Sequence, residues 1–434
     1  MLKESDDLTK RYSYVFENRL RVPIVFLRDL HRSQKLPELA SFLVWEVLYK
    51  LRLFGRNNYL KFNSGQPLVL GDTQLSDPAL GAHLSQLGAL RGLRVVSSPY
   101  NWKLFFVGAL RQTLGCIYPD DTDLYQSTDH SSSLTHLKRF GDKIKAIFIS
   151  SRGTIFVCIK GAVYRSSDGG NSFDKSLHLS SSESFFRHNN GMTEIPGKGL
   201  IIGEYGNVWD RTRYRTLAYL YLSSDDGETW SRSDFLIKEG INKHVHVVKY
   251  SPLLKRLLLA DGDNKKKLWI SAPLDDLDMR ALELKAVNNY HMQIGGYTAI
   301  AECGENVLFG TDYQGGTNFV VESKDGRTFR KWVVPDPYRR SPIDNMVCRK
   351  ARQGYEVWAN LPFSAGDSRC LLMYTSDCGK TWNKVIEYKR TKHTVWLLSS
   401  SNGAVDRVYF AVQDSERHRR VVYEVSDDGE SAAC

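Results

Sequence analysis

A short motif that recurs along the chain constrains the fold more than any other feature of this 434-residue sequence. It reads Ser-x-Asp-x-Gly-x-Thr/Ser, followed by an aromatic residue. Clear copies occupy residues 166–173, 223–230 and 375–382, and degenerate copies occupy residues 127–134, 322–329 and 425–432. Self-similarity of this kind is typical of a chain built from copies of one supersecondary unit, so we expect a repeat architecture.

The residue types in the motif predict a turn between two strands. Ser and Asp side chains hydrogen-bond local backbone N–H groups, Gly adopts the positive φ of a tight turn, and the aromatic ring packs into a core. A strand precedes the clear copies, as at residues 162–165 and 217–222, and another strand follows. Each motif is therefore expected to lie on a β-hairpin.

The spacing of the motifs gives the number of repeats. Their last positions are 134, 173, 230, 329, 382 and 432, so the successive gaps are 39, 57, 99, 53 and 50 residues. A repeat without a motif fits the gap of 99, with strands at 244–250, 256–260, 267–271 and 279–284. Repeats of about 50 residues are close to the length of known propeller blades. We predict an all-β fold, a seven-bladed β-propeller over residues 100–434.

These motifs resemble the Asp-box (BNR) repeat of sialidase-like β-propellers. The resemblance covers the chain from about residue 100 onward and implies the propeller fold, but hydrolases, lyases, assembly factors and sorting receptors all carry this structural repeat. Sialidases have six blades, whereas seven are predicted here. Sialidases also carry an arginine triad, and no such triad can be assigned in this sequence. Arg21-Val22-Pro23 mimics their Arg-Ile-Pro motif, but it lies more than 100 residues before the first box and is taken as chance. Residues 190–197, 203–205, 244–246 and 309–312 also resemble a loosely defined bacterial and phage subgroup, which implies no particular activity.

Residues 1–99 carry no motif and are predicted to form a partly helical N-terminal segment. We expect a helix at 36–54 that ends before Gly55, a second helix from Ser76 to near Gly92, and strands at 68–70 and 93–96. The last motif ends near residue 432, which leaves no room for an outer strand in the seventh blade. Because an open sheet edge is a liability, a strand at 11–16 or 59–62 is expected to pair there and close the ring.

The first helix has two open interpretations. Over residues 37–54 it is unusually apolar, with Lys50, Arg52 and Arg56 near its end, and it is too short and too charged to span a membrane. It either packs on the propeller or lies in a membrane interface, where its basic residues meet anionic lipid. The second interpretation would make the protein membrane-associated.

The composition is that of an ordinary globular protein, with 42% hydrophobic and 25% charged residues. The net charge of +10 favours an anionic partner. No RNA-binding signature, zinc finger or Lys/Arg run supports nucleic acid as that partner. Seven cysteines without CxxC spacing argue against a disulfide framework. The polar, charged N-terminus shows no signal peptide, which predicts a cytoplasmic location.

The family resemblance also implies that ligands bind at the face where each innermost strand begins and each second strand ends. Five of the eleven histidines fall at such strand starts. The candidate catalytic residues are His188, Glu204, Tyr205, His244, His246 and His291. The candidate substrate-binding residues are Asp261, Gln293, Asp312, Tyr313, Asn360 and His393.

Two kinds of chemistry fit this cluster. His244 and His246 alternate along one strand, so both can face the channel, and with His291 they are candidate ligands of Mn²⁺, Zn²⁺ or Ca²⁺. Such an ion would neutralise a substrate carboxylate. Alternatively, a histidine acts as the base, and Tyr205 or Glu204 acts as the acid.

The repeat, the basic charge and the polar channel together favour a sialidase-like carbohydrate-active enzyme. It would be a glycoside hydrolase or polysaccharide lyase acting on an acidic polysaccharide or oligosaccharide. The aromatic residues Trp209, Tyr297, Tyr313 and Trp358 are candidates for stacking on sugar rings. The alternative is a non-catalytic glycan-binding or scaffold propeller that is associated with polysaccharide assembly.

Overall fold

The computed structural model describes residues 36–428 together with Ile24, Leu27, Arg28, Leu30 and His31. Short segments within that range are not described, at 72–76, 90–91, 109–111, 128–132, 211–212, 242, 263–266, 289–295, 364–367, 415 and 417–418. The predicted strand at 11–16 and the candidate site residues His291 and Gln293 lie outside the described residues.

The N-terminal segment folds into two helices and two strands, as the sequence predicts. In chain order they are Leu36–Lys50 (α1), Leu68–Leu70 (β1), Asp77–Ala89 (α2) and Leu93–Ser97 (β2). Helix α1 ends four residues earlier than predicted, because Arg52 has a φ of +55°. The N–H of Leu53 donates to the Leu48 carbonyl and that of Arg52 donates to the Tyr49 carbonyl, which is the Schellman arrangement of a helix end.

Together with β2, the rest of the described chain forms the seven blades of a β-propeller, each built on four antiparallel strands, which confirms the predicted fold class. Strand β1 pairs in parallel with the outer strand of blade 6, and a short strand at Ser399–Ser401 pairs in parallel with the first strand of blade 1. Blade 1 contains Trp102–Val107, Thr113–Ile117, Asp123–Ser127 and Thr135–Arg139 (β3–β6). Blade 2 contains Ala146–Ile149, Ile155–Ile159, Ala162–Ser166 and Asp174–His178 (β7–β10). Blade 3 contains Met192–Ile195, Gly199–Gly203, Leu220–Ser223 and Ser231–Ser233 (β11, β12, β15, β16), with the hairpin Trp209–Asp210 and Arg213–Tyr214 (β13, β14) inserted.

The remaining blades follow the same pattern, with the first strand of each blade innermost. Blade 4 contains Val245–Ser251, Arg256–Asp261, Leu268–Ser271 and Leu284–Asn288 (β17–β20), and blade 5 contains Tyr297–Cys303, Asn306–Thr311, Phe319–Ser323 and Arg330–Val333 (β21–β24). Blade 6 contains Asn345–Ala351, Gly354–Leu361, Cys370–Thr375 and Asn383–Tyr388 (β25–β28). Blade 7 contains His393–Leu397, Val408–Asp414 and Arg419–Asp427 (β29, β31, β32) together with β2. Further elements are Ser399–Ser401 (β30), Phe235–Lys238 (α3) and 3-10 turns at Arg56–Asn58 and Leu274–Asp276.

The ring is closed by β2, which pairs with β32 as the outermost strand of blade 7, in register from Leu93 opposite Asp427 to Ser97 opposite Tyr423. The predicted closing strand at 59–62 is therefore wrong. Tyr59 bridges Val333 of blade 5 and Phe62 bridges Trp382 of blade 6. Strand β2 is suited to closure because Leu93 and Val95 point into a core that also contains Leu84 of α2.

Blade 4 has no motif, as expected, but its outer strand lies later than predicted. The sequence places that strand at 279–284, whereas β20 spans Leu284–Asn288. Pro273 and the following 3-10 turn occupy part of the connection, and Leu277 is buried beneath it. This connection takes the place that a short motif turn has in blades 2, 3, 5 and 6.

In blades 2, 3, 5 and 6 the motif turn joins the third and fourth strands, and these four turns share one hydrogen-bond pattern. In blade 3 the Ser223 hydroxyl accepts the Gly227 N–H at 2.8 Å, and Asp225 accepts the Thr229 N–H at 3.0 Å. Blades 2 and 6 repeat these bonds. The degenerate copy in blade 5 keeps the pattern with one residue fewer, since the Gly326 N–H donates to Ser323 at 2.9 Å. The predicted turn chemistry is therefore confirmed at four hairpins.

Asp225→Ala is expected to lower the free energy of unfolding by about 1–2 kcal/mol, because the Thr229 N–H and the hydroxyls of Ser223 and Thr229 lose a charged acceptor. Urea denaturation measures the change, and Asp174→Ala, at an exposed position in blade 2, is the matched control. An equal loss in both variants would show that the turn contributes nothing specific.

One pairing of cysteines is not anticipated by their spacing. Cys303, at the end of β21, forms a disulfide with Cys378 in the motif turn of blade 6, with their Cα atoms 5.3 Å apart. Cys116, Cys158 and Cys370 are buried free thiols. The disulfide links blade 5 to blade 6 on the face of the propeller that carries the motif turns, which is called the motif face below.

Candidate functional site

Three of the candidate catalytic side chains come together at the mouth, the end of the central channel where the innermost strands begin. Tyr205 follows β12, and His244 and His246 lie at the start of β17. The Tyr205 ring lies 4.2 Å from the His244 ring and 5.8 Å from the His246 ring, between centroids. The two predicted histidines and the predicted tyrosine thus form one aromatic cluster.

Hydrogen bonds fix the tautomers of the two histidines. Nδ1 of His244 lies 2.7 Å from the Gly206 carbonyl oxygen, so Nδ1 carries the proton and donates it. The Nε2 atoms of His244 and His246 are 2.9 Å apart, so Nε2 of His246 must donate to the bare Nε2 of His244. Burial lowers the pKa of His244 to about 3 and lowers the pKa of His246 well below its usual value. Both rings are therefore neutral at neutral pH.

An ion pair that the sequence analysis did not select crosses the channel beside this cluster. Nη2 of Arg187, which precedes blade 3, lies 3.1 Å from Oδ1 of Asp344, which precedes blade 6. The Arg187 guanidinium also lies 5.5 Å from the Tyr205 ring centroid. The bonds to Asp344 use only Nη2, whereas a guanidinium has five N–H donors, so Arg187 can also bind an anion.

Asp312 is the candidate substrate-binding residue with the most unusual environment. It follows β22 at the same mouth. Burial and, to a smaller degree, the negative charge of Asp344 raise the pKa of Asp312 to about 6, against the opposing effect of Arg187. A carboxyl group with this pKa exchanges its proton near neutral pH, as a general acid or base must.

A cavity of about 320 Å³ lies further along the channel, toward the motif face. Asn190 and Asn345 line it next to Arg187 and Asp344, and Lys249, Glu302 and Cys348 line it deeper in the channel. Nζ of Lys249 donates to the Ser401 carbonyl at 2.9 Å, and burial lowers the pKa of this lysine to about 8. The volume is at the lower end of the range for small-molecule sites, about 300–1,000 Å³.

Two buried amide atoms in the cavity wall lack protein partners. Within the described part of the chain, Nδ2 of Asn190 and Oδ1 of Asn345 make no hydrogen bond, although both residues are almost wholly buried. Buried polar atoms of this kind usually bond to ordered water or a ligand. The cavity wall is therefore suited to a hydroxyl-rich molecule.

Three other candidates have structural partners away from the Tyr205 cluster. Glu204 is completely buried and accepts hydrogen bonds from the hydroxyls of Tyr221 at 2.7 Å and Ser180 at 2.6 Å. His188 accepts the Ile147 N–H at 3.2 Å on Nδ1, so its Nε2 donates to the Phe105 carbonyl at 3.3 Å. Asp261 accepts the Trp269 indole N–H at 3.0 Å. These contacts hold neighbouring strands and blades together.

The remaining binding candidates are spread around the ring. Tyr313 packs edge-on against Phe42 of α1, with ring centroids 6.3 Å apart. Oδ1 of Asn360 accepts the backbone N–H of Asn345 at 3.1 Å. His393 begins β29, and burial lowers its pKa. Nothing in these contacts brings the three residues to the Tyr205 cluster.

Of the aromatic residues considered for sugar stacking, Trp209 is exposed, whereas Tyr297 and Trp358 are buried and belong to the core. Trp209 lies on the β13–β14 hairpin, and its ring packs 4.9 Å from that of Tyr214. Nζ of Lys243, the residue before His244, lies 4.7 Å from the Tyr214 ring centroid. The hairpin thus carries an exposed indole and contacts Lys243, which precedes the innermost strand of blade 4.

The metal site stays a prediction. Among the described residues, no group of three or more His, Cys, Asp or Glu side chains is arranged to hold a metal ion. The predicted third ligand, His291, is outside the described residues. His244 and His246 already hydrogen-bond to each other, so a metal ion would have to replace that bond.

Comparisons with known proteins identify the fold. No protein-family model and no curated protein sequence matches the chain. A catalytically inactive histidine variant of virginiamycin B lyase from Staphylococcus aureus with quinupristin has a TM-score of 0.51 at 12% identity, over 77% of this chain and 98% of that chain. A streptogramin B lyase structure gives the same values, and YCF48 bound to D1 peptide has a TM-score of 0.47 at 12% identity, over 78% and 97%. The chain is a seven-bladed β-propeller, and similarity at this level establishes no activity.

Proposed function

We propose that this propeller is a carbohydrate-active enzyme, a glycoside hydrolase or polysaccharide lyase that acts on an acidic polysaccharide at the channel mouth. The observation that carries the proposal is Asp312, a half-buried carboxyl group at the mouth whose pKa is raised to about 6 by burial, against the opposing charge of Arg187. A carboxyl group with a pKa perturbed in this way is typical of catalytic sites. The net charge of +10 favours an anionic substrate.

Each group at the mouth has a role in this proposal. Arg187 binds a carboxylate of the sugar chain, and Asp312 transfers the proton. Trp209 offers a stacking surface for a neighbouring sugar ring, and Lys243 adds positive charge. The neutral pair of His244 and His246 shapes the wall behind Tyr205.

The motif turns support the resemblance to Asp-box propellers, because their hydrogen bonds recur in four blades. Propellers of that type include both hydrolases and lyases, so the resemblance is compatible with either reaction. In a lyase, Arg187 neutralises the uronate carboxylate and ionised Asp312 removes the proton at C5, while the bond to the glycosidic oxygen breaks and that oxygen takes a proton from water. In a hydrolase, protonated Asp312 gives its proton to the glycosidic oxygen as the bond to the anomeric carbon breaks, and water adds to that carbon and releases a proton.

A non-catalytic glycan-binding propeller is the second candidate. The observation in its favour is the cavity beyond the ion pair, where Asn190 and Asn345 present amide groups to a polar ligand. Binding requires only shape, stacking and hydrogen bonds, whereas catalysis also requires a proton-transfer group. The two candidates therefore differ in whether Asp312 is needed.

A panel of acidic polysaccharides, with neutral glucans as controls, tests the proposal. Release of reducing ends without unsaturated-uronate absorbance indicates a hydrolase, and the appearance of both indicates a lyase. Saturable binding without turnover would favour the glycan-binding alternative. Turnover of neutral glucans alone, or neither binding nor turnover on any acidic polymer, would overturn the proposal.

A further inference from the structure

Helix α1 is fixed to the propeller by one face. The Trp45 ring packs against Phe319 of blade 5, with centroids 5.3 Å apart. Glu46 is buried and pairs with Arg340 at 3.0 Å and also with Arg339. Since aromatic packing and a buried ion pair both hold this face, the helix cannot rotate to bury another one.

The opposite face of α1 is an exposed aliphatic stripe. Its side chains recur at the three- and four-residue spacing of one helical face and continue into the turn that ends the helix. The stripe consists of Leu43, Val44, Val47 and Leu51, with exposed fractions of 52%, 49%, 53% and 63%. Contiguous apolar exposure of this kind marks an interaction surface in a protein with an otherwise ordinary core.

The charged residues near the stripe indicate what kind of partner it binds. Lys50 and Arg52 are exposed at the C-terminal end of the helix, whereas the acidic Glu46 lies on the anchored face and is already paired. Each basic residue near an anionic bilayer contributes about 1 kcal/mol of attraction. Positively charged residues, which an anionic surface attracts, therefore border the stripe.

The residue types of the stripe favour lipid over a protein partner. Protein interfaces derive most of their binding energy from Trp, Tyr and Arg anchors. The Trp and Tyr of α1 face the propeller, where Tyr49 packs under the Arg339 guanidinium at 4.0 Å. Aliphatic side chains with flanking basic residues are instead the composition of a helix that lies in a lipid interface.

We propose that α1 docks the propeller peripherally on an anionic lipid bilayer, with the stripe in the interface and the basic residues at the headgroups. Among the described residues no helix is long and apolar enough to cross a membrane. This inference is independent of the proposed enzyme function, because none of these residues belongs to the channel mouth.

Co-sedimentation with vesicles of phosphatidylcholine, with and without phosphatidylserine, tests the docking. The full chain is expected to bind the phosphatidylserine vesicles, less so at high salt, and Leu43→Glu with Val47→Glu is expected to weaken binding at least ~10-fold. Leu253→Glu, at an exposed leucine in the β17–β18 turn, should bind like the unaltered protein. Circular dichroism confirms that each variant is folded.

Three results would overturn this inference. The first is no binding to anionic vesicles, and the second is equal binding by the stripe variant and the Leu253→Glu control. The third is a dimer in solution that the stripe substitutions dissociate, since the stripe would then be an interface between two copies of the chain.

Discussion

Asp312→Asn is expected to reduce turnover of the acidic polysaccharide about 10²–10⁴-fold, the contribution usual for a general acid or base. Asparagine preserves the size and polarity of the side chain but cannot exchange a proton. Substrate affinity should change little, because Arg187 still presents its guanidinium to the sugar carboxylate. The loss is therefore expected in kcat rather than in KM.

The pH profile of turnover separates the two roles of this carboxyl group. With a pKa of about 6, Asp312 is protonated below that pH, so a general acid loses activity as the pH rises through 6, and a general base loses it as the pH falls through 6. Asp275→Asn, at an exposed aspartate in the 3-10 turn of blade 4, is the matched control. Undiminished turnover in Asp312→Asn would remove Asp312 from the mechanism.

Acid is expected to destabilise the protein as the pH falls from about 6.5 to 4, because buried histidines must take up protons. Burial lowers the pKa of His188 to about 4 and that of His244 to about 3. The unfolded chain binds these protons near pH 6.5, so the stabilisation is complete above that pH and is lost below it. For His188 alone the difference is about 3 kcal/mol. Asp312 and Glu302, whose pKa values burial raises, act in the opposite direction, but burial lowers the pKa of four histidines, His188, His244, His246 and His393.

Urea denaturation at a series of pH values measures this dependence. His188→Gln, which keeps a neutral donor and acceptor, should show a shallower loss of stability below pH 6.5. His178→Gln, at an exposed histidine of β10, should match the unaltered protein. A free energy of unfolding that stays constant between pH 7 and 5 would contradict the expectation.

The propeller is predictable from sequence because its turns are local. Ser223, Asp225, Gly227 and Thr229 make their hydrogen bonds within a few residues of one another, so their order along the chain is sufficient to identify the turn. The spacing of such turns then gives the number of blades. The closing strand is a different case, since β2 pairs with a strand more than 300 residues away. Nothing within residues 93–97 specifies that partner, and 59–62 has a similar apolar character.

The candidate site is predictable to the extent that strand position determines it. Tyr205, His244 and His246 follow from the ends of strands, and they do form a cluster. Glu204 does not join them, because neighbouring residues in an extended chain point to opposite sides. Because the Tyr205 side chain points toward the histidines, the Glu204 side chain points the other way and contacts Tyr221.

The ion pair of Arg187 and Asp344 could not be predicted from the positions of these residues along the chain. Both residues precede innermost strands, so the rule that selects the histidines also applies to them. Their pairing joins residues 157 positions apart across the channel, and only the ring geometry brings them together. The raised pKa of Asp312 depends on the same assembly, because burial and Asp344 are its causes.

The most direct test of the channel mouth as a carbohydrate site is a crystal structure of Asp312→Asn with an acidic oligosaccharide. We expect a sugar carboxylate within hydrogen-bond distance of Arg187, about 3 Å, and a sugar ring near Trp209. The glycosidic oxygen should face position 312. An oligosaccharide bound only at the motif face, or an unoccupied mouth at a saturating ligand concentration, would contradict the assignment.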